Sequence, residues 1–145
     1  MNDLYDRILQ LSQFASEVYR EELRPNDLER FGLVASGFRE YRAQREKDLD
    51  ALDGLYEAVN GEDGIWYLGE DPELPKPVQE FWYLETCLLC CFIRLEISAH
   101  HTCPPQDLEM AEKHIPAFIA YMETHFQTRR DFCGCLDFFN QNLCY

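Results

Sequence analysis

Basic residues and long apolar runs are both scarce in this 145-residue sequence. Lysine and arginine together number 13 against 27 aspartates and glutamates, which gives a formal net charge of −14. Such an excess of negative charge repels DNA, RNA and anionic membranes and favours a basic protein surface as the partner. The longest uninterrupted apolar run, residues 87–93, has seven residues and is too short to cross a bilayer. We therefore expect neither direct nucleic-acid binding nor membrane insertion.

Familiar catalytic and metal-binding motifs are also missing. The sequence contains no Glu-x-x-His pair of the kind that binds iron in helical bundles, and no His-Glu-x-x-His motif of the kind that binds zinc in proteases. Gly61, Gly64 and Gly69 stand among acidic residues and follow no strand, so they do not form a phosphate-binding loop. The sequence thus predicts neither catalysis nor a cofactor.

The first residues lack the basic and apolar regions of a signal peptide, and the cysteines do not suggest a disulfide framework. There are seven cysteines, an odd number, and Cys90 and Cys91 are adjacent. Both features are typical of free thiols in a reducing compartment. We expect a cytoplasmic protein.

One metal-binding alternative remains open. His101 and Cys103 follow the most apolar segment, and Cys133 and Cys135 precede the last predicted helix. If these two turns met, they would supply the four nitrogen and sulfur ligands of a tetrahedral zinc site. The usual spacing of two residues between paired cysteines occurs only inside the apolar run, where cysteine commonly serves as a small apolar residue. A structural zinc or metal-sensing domain is therefore the alternative hypothesis.

The most apolar part of the chain is residues 78–99. If this segment is helical, apolar side chains point in nearly every direction, which is typical of a helix surrounded by others. Residues 3–23 have the period of an amphipathic helix, and Pro25 would end it. We predict an all-α fold with one domain, residues 1–145, in which about five helices surround a buried central helix.

Two parts of this helical pattern leave the boundaries open. A heptad repeat runs from Leu28 to Val59 and is charged only at its centre, so residues 27–59 could form one long helix or two helices meeting near residues 44–47. We favour one long or kinked helix, because neither proline nor a turn dipeptide interrupts the repeat. After the central helix, Asp107 should cap a further helix, and Pro116 predicts a kink or a split within it.

The acids are concentrated in residues 48–73, which we call the acidic segment. It contains nine acids and no base. Its second half falls in a long predicted loop, residues 60–77, which has three glycines, three prolines and no helical period. Aromatic anchors within a charged rim have the composition of a protein-binding surface. We predict that this loop supplies the partner-binding residues: Glu62, Asp63, Trp66, Tyr67, Glu70, Asp71 and Glu73.

Size, charge and the acidic loop together predict a small protein that binds and blocks a basic protein. Inhibitors, immunity proteins and DNA mimics are the functional classes that fit, and a toxin or a nucleic-acid-binding protein would be the partner. Either a monomer or a homodimer joined through aromatic residues of the central helix agrees with the sequence.

Overall fold

Six helices and no strand make up the described part of the chain in a computed structural model. The structure describes residues 2–44, 49–60 and 74–143. The all-α bundle predicted from the sequence is confirmed. The helices are α1 (Asn2–Val18), α2 (Pro25–Ala43), α3 (Leu49–Asn60), α4 (Lys76–His100), α5 (residues 105–125) and α6 (Phe132–Leu143).

Helix α4 occupies the centre of the bundle, as predicted for residues 78–99. It contacts α1, α3, α5 and α6, and its rings also stack against those of α2. Trp82 and Leu84 are both fully buried, although residues two apart on a helix point to nearly opposite sides. Burying a side chain of this size stabilises the fold by about 1.5–3 kcal/mol. The packing of the other helices on α4 therefore contributes much of the stability of the bundle.

Helix α1 is amphipathic, as predicted, but it ends at Val18 rather than near residue 23. The following residues form a turn in which Tyr19 and Leu23 remain buried. Arg24 then adopts an extended backbone, because the residue before a proline avoids the helical conformation. The carboxylate of Asp27 accepts a hydrogen bond from the Arg24 backbone N–H at 3.0 Å and closes the first turn of α2.

The favoured prediction of one long helix over residues 27–59 is wrong. Helix α2 ends at Ala43, and the next residue, Gln44, is extended with ψ of 140°. Helix α3 then packs against α2, where a Cβ atom on Gly37 would collide with the side chain of Leu55. The heptad repeat therefore serves two helices, since each needs the same apolar spacing to pack.

Helix α5 continues past Pro116 rather than splitting there. A π-helical turn, Met110–His114, connects the α-helical stretches Pro105–Glu109 and Ile115–His125. The backbone N–H of Ile115 bonds to the carbonyl of Met110, five residues earlier. This wider turn lies directly before Pro116, which has no N–H to donate, and it keeps the helix continuous.

Helix α6 closes the bundle next to α4 and α5. Arg94 of α4 donates a hydrogen bond of 2.8 Å to the Leu143 carbonyl, at the end of α6 where the helix leaves its carbonyls unpaired. Cys135 and Phe139 lie on the buried face of α6. None of the helices within the described ranges combines the length and the apolar character needed to cross a membrane.

Candidate functional site

The acidic segment, residues 48–73, is described only where it forms part of α3. Asp50 and Asp53 are exposed on this helix, whereas Leu52 and Leu55 are buried. Helix α3 therefore turns these two acids outward and these two leucines toward the core. The predicted partner-binding residues Glu62, Asp63, Trp66, Tyr67, Glu70, Asp71 and Glu73 all lie outside the described residues, so that assignment stays a prediction.

The first part of the acidic segment and the residue that follows the segment are both attached to the core. The first part forms α3, which packs against α2 and α4. On the other side, Leu74 is half-buried against the core, and its carbonyl accepts a hydrogen bond of 2.9 Å from the Gln79 side chain in the first turns of α4. The start of the acidic segment and the residue that follows it are thus both held by α4 and its neighbours.

The four residues of the zinc hypothesis lie in different environments. His101 caps the end of α4, Cys103 follows two residues later, and both are half-buried. Cys133 is exposed, whereas Cys135 is buried. Two residues apart on a helix, Cys133 and Cys135 point to nearly opposite sides. Burial and the neighbouring Asp131 raise the pKa of the Cys135 thiol to about 12, which disfavours the thiolate that binds metal.

These four side chains do not assemble into a metal site. Within residues 2–44, 49–60 and 74–143, no group of three or more His, Cys, Asp or Glu residues is arranged to hold a metal ion. The Nε2 atom of His101 is buried and makes no hydrogen bond with the described residues. The placement of the ligands therefore gives the zinc hypothesis no support, and it stays a prediction.

A shallow cleft of about 240 Å³ lies between α1 and α5. Leu11 and Phe126 form its apolar floor, and Arg7 pairs with Glu123 at its edge through contacts of 2.5 and 3.0 Å. Pockets for drug-sized ligands usually measure about 300–1,000 Å³. Because this cleft is smaller and its charged groups already bind each other, we assign it to the packing of α1 on α5.

The bundle interior contains carboxyl groups along the interface of α1 and α4, which we call the seam. The Ser12 hydroxyl lies 2.7 and 2.9 Å from the two carboxyl oxygens of Glu85, and both residues are buried. One end of the seam has a second pair, in which the Tyr19 hydroxyl donates to Glu80 at 3.0 Å. Hydroxyl groups of α1 and of the turn after it therefore face carboxyl groups of α4.

A third contact occupies the other end of the seam. The Tyr5 phenol lies beside Glu96, which is 2% exposed, and His100 Nε2 lies 3.2 Å from the same carboxyl group. Along the seam, Tyr5 faces Glu96, Ser12 faces Glu85 and Tyr19 faces Glu80. Rising numbers on one side meet falling numbers on the other, as required when the two segments run antiparallel. The equal spacing of seven residues between Tyr5, Ser12 and Tyr19 is the one trace of the seam in the sequence, but it does not specify the acids that face them.

Burial controls the protonation of these groups. It raises the pKa of Glu85 to about 8, and the Ser12 hydrogen bond lowers that pKa only in part. The pKa of Tyr5 and that of Tyr19 are also raised, first by burial and then by the neighbouring Glu96 and Glu80. Glu85 is therefore a neutral carboxylic acid near pH 7. Since it is only 1% exposed, a substrate could not reach it in this conformation, and we assign it a role in packing.

Comparison with known proteins gives no match: neither a family model, nor a curated protein, nor a solved structure is similar to this chain. Function must therefore be inferred from the charge and surfaces of the chain itself.

Proposed function

We propose that this protein binds a basic surface of another protein and blocks it, without chemistry of its own. The functional class would be an inhibitor, an immunity protein or a DNA mimic, and the partner would be a toxin or a nucleic-acid-binding protein. The observation that carries the proposal is the concentration of charge: nine of the 27 acids, and no base, lie within residues 48–73. That segment alone contributes −9 to the formal net charge of −14.

The charges elsewhere on the surface support this assignment, because several acids there are paired with bases. Arg7 binds Glu123, and Arg129 binds Glu22, each at 2.5 Å. Arg42 of α2 also binds an acid of α1. Paired charges largely cancel at a distance, so the negative field should be strongest at the acidic segment.

The acidic segment would contribute in two steps. Its acids would speed the encounter with a basic protein, since long-range attraction raises association rates. Trp66 and Tyr67 would then supply the buried contacts that hold the partner.

The test is capture of partners from a lysate of the native host at low and high salt, with two variants of equal charge. The segment variant neutralises four acids of the loop: Asp63→Asn, Glu70→Gln, Asp71→Asn and Glu73→Gln. The matched control neutralises four exposed acids of other elements: Glu21→Gln, Glu29→Gln, Glu109→Gln and Glu112→Gln. We expect the wild type and the control to retain the same basic protein at low salt, and the segment variant to lose it.

Two results would contradict the proposal. Retention that is the same at low and high salt would exclude an electrostatic association. Equal retention by the segment variant and the control would show that the position of the acids is irrelevant.

The substitutions Trp66→Ala and Tyr67→Ala should instead raise the dissociation rate of the captured partner and leave its association rate nearly unchanged.

A further inference from the structure

The seam between α1 and α4 has a carboxyl group at its centre that is held by one hydroxyl. Glu85 is 1% exposed and accepts a hydrogen bond from Ser12, which is 3% exposed. A buried carboxylate needs a cation or several donors to offset its lost hydration. A single neutral hydroxyl does not meet that need, whereas a protonated carboxyl group is satisfied with far fewer partners.

We propose that Ser12 and Glu85 form a proton-dependent latch, in which α1 packs firmly on α4 while Glu85 is a neutral acid and loosens when Glu85 loses its proton. The proton passes to water when α1 moves away and the carboxylate becomes hydrated. No other reactant is required.

The charged and titratable groups that neighbouring helices turn toward α4 lie away from Glu85. Tyr5 of α1 and Tyr19 of the following turn occupy the two ends of the seam. From α2, Asp27 and Arg30 contact Trp82, Tyr41 contacts Phe92, and Arg42 lies over the Tyr5 ring. Arg129 and Cys135 act on Tyr19 at the other end of the seam. On α3, Asp50 and Asp53 are exposed, and on α5 His114 is half-buried at the π-helical turn. Among the described residues, the Ser12 hydroxyl is the one group that acts on the pKa of Glu85 besides burial.

The position of α1 allows it to respond as a unit. It is the first helix of the bundle and is joined to α2 by the turn at residues 19–24. Its ion pairs with the rest of the chain, Arg7 with Glu123 and Asp6 with Arg42, lie at the surface, where such pairs contribute little. The seam is therefore the main attachment that changes with protonation.

The pKa of Glu85 gives the pH range of the latch. It is about 8 in the folded protein against an ordinary value of 4.5, and it returns toward that value when α1 opens. The opened form thus releases its proton at lower pH than the closed form. Opening becomes easier as pH rises from about 4.5 to about 8, by up to about tenfold per pH unit, and levels off above that range.

Hydrogen exchange of backbone amides tests this proposal directly. Protection factors of the α1 amides, corrected for intrinsic exchange, should fall between pH 5.5 and 7.5 by up to about tenfold per unit in the wild type. Glu85→Gln removes the titrating group, so its α1 protection should be independent of pH. Glu80→Gln is the matched control: it alters a half-buried member of the same seam and should keep the wild-type dependence.

A second variant and a second helix make the test decisive. Ser12→Ala removes the hydrogen bond that lowers the pKa of Glu85, so the fall in protection should extend to higher pH. If α1 opens alone, its amides should be less protected than those of Ile115–His125 in α5 at the same pH. Constant α1 protection in the wild type, an unchanged dependence in Glu85→Gln, or equal protection of α1 and α5 would each overturn the latch.

Discussion

The acids of the α1–α4 seam and the acids of α3 are the same chemical groups in opposite environments. Glu85 is 1% exposed, pairs with a hydroxyl and remains neutral near pH 7. Asp50 and Asp53 are exposed on the outer side of α3, at the start of the acidic segment. Exposure to water, rather than residue type, therefore decides whether an acid couples the fold to pH or contributes to the electric field around the protein.

The largest effect should come from removing the apolar packing around the seam. Phe92 is fully buried, stacks on Phe38 at 4.7 Å and meets Tyr5 edge-on at 5.4 Å. Phe92→Ala should lower the free energy of unfolding by about 3–5 kcal/mol in denaturant titrations. The control Leu33→Ala alters a residue that is 68% exposed and should change it by less than about 0.5 kcal/mol. Similar losses in both variants would contradict the distinction between inner and outer positions.

The next effect isolates the buried acid. Because the folded-state pKa of Glu85 is raised to about 8, its contribution to stability is complete below pH 4.5 and is lost as pH rises toward 8. Glu85→Gln should remove a slope of up to about 1.4 kcal/mol per pH unit from the free energy of unfolding in that range. Asp53→Asn, at an exposed position, should leave the slope unchanged. Equal slopes for all three proteins would show that the buried acid does not couple to folding.

A smaller effect should follow from displacing α3, which carries the exposed acids. Gly37→Val places a side chain where Leu55 packs and should cost about 1–3 kcal/mol of stability by chemical denaturation. Gly32→Ala provides the control, since a Cβ atom there has open space and should stabilise α2 by up to about 1 kcal/mol. A neutral result for Gly37→Val would mean that α3 does not depend on this close contact.

The smallest effect on stability should come from the exposed acids themselves. Asp50→Asn and Asp53→Asn together should change the free energy of unfolding by less than about 0.5 kcal/mol. Under the proposed function, the same pair should still slow association with a basic partner at low salt, as measured by stopped flow. A large loss of stability would place these carboxylates in the fold rather than at its surface.

The sequence predicted the helical class, the amphipathic α1 and the buried α4, because each depends on hydrophobic periodicity within one segment. It did not predict the break after Ala43, since two packed helices need the same apolar spacing as one long helix. The charged Arg42 was the available signal: it leaves the heptad interface, pairs with Asp6 and lies over the Tyr5 ring at 5.3 Å.

The seam could not be predicted, because it depends on how two distant helices align. The hydroxyl residues Tyr5, Ser12 and Tyr19 are evenly spaced in the sequence, but nothing in it specifies which acids of α4 face them. That alignment exists only when the two helices pack antiparallel. The candidate partner-binding residues of the loop remain a prediction from composition and charge, since they lie outside the described residues.

Under the proposed function, the position of the acids, and not their number, directs this protein to its partner. The most direct measurement is the association rate constant with the captured basic protein from low to high salt, for the wild type, the segment variant and the control of equal charge. We predict that the segment variant associates more slowly and loses most of its salt dependence, while the control follows the wild type. Identical rates and salt dependence for the segment variant and the control would contradict the claim.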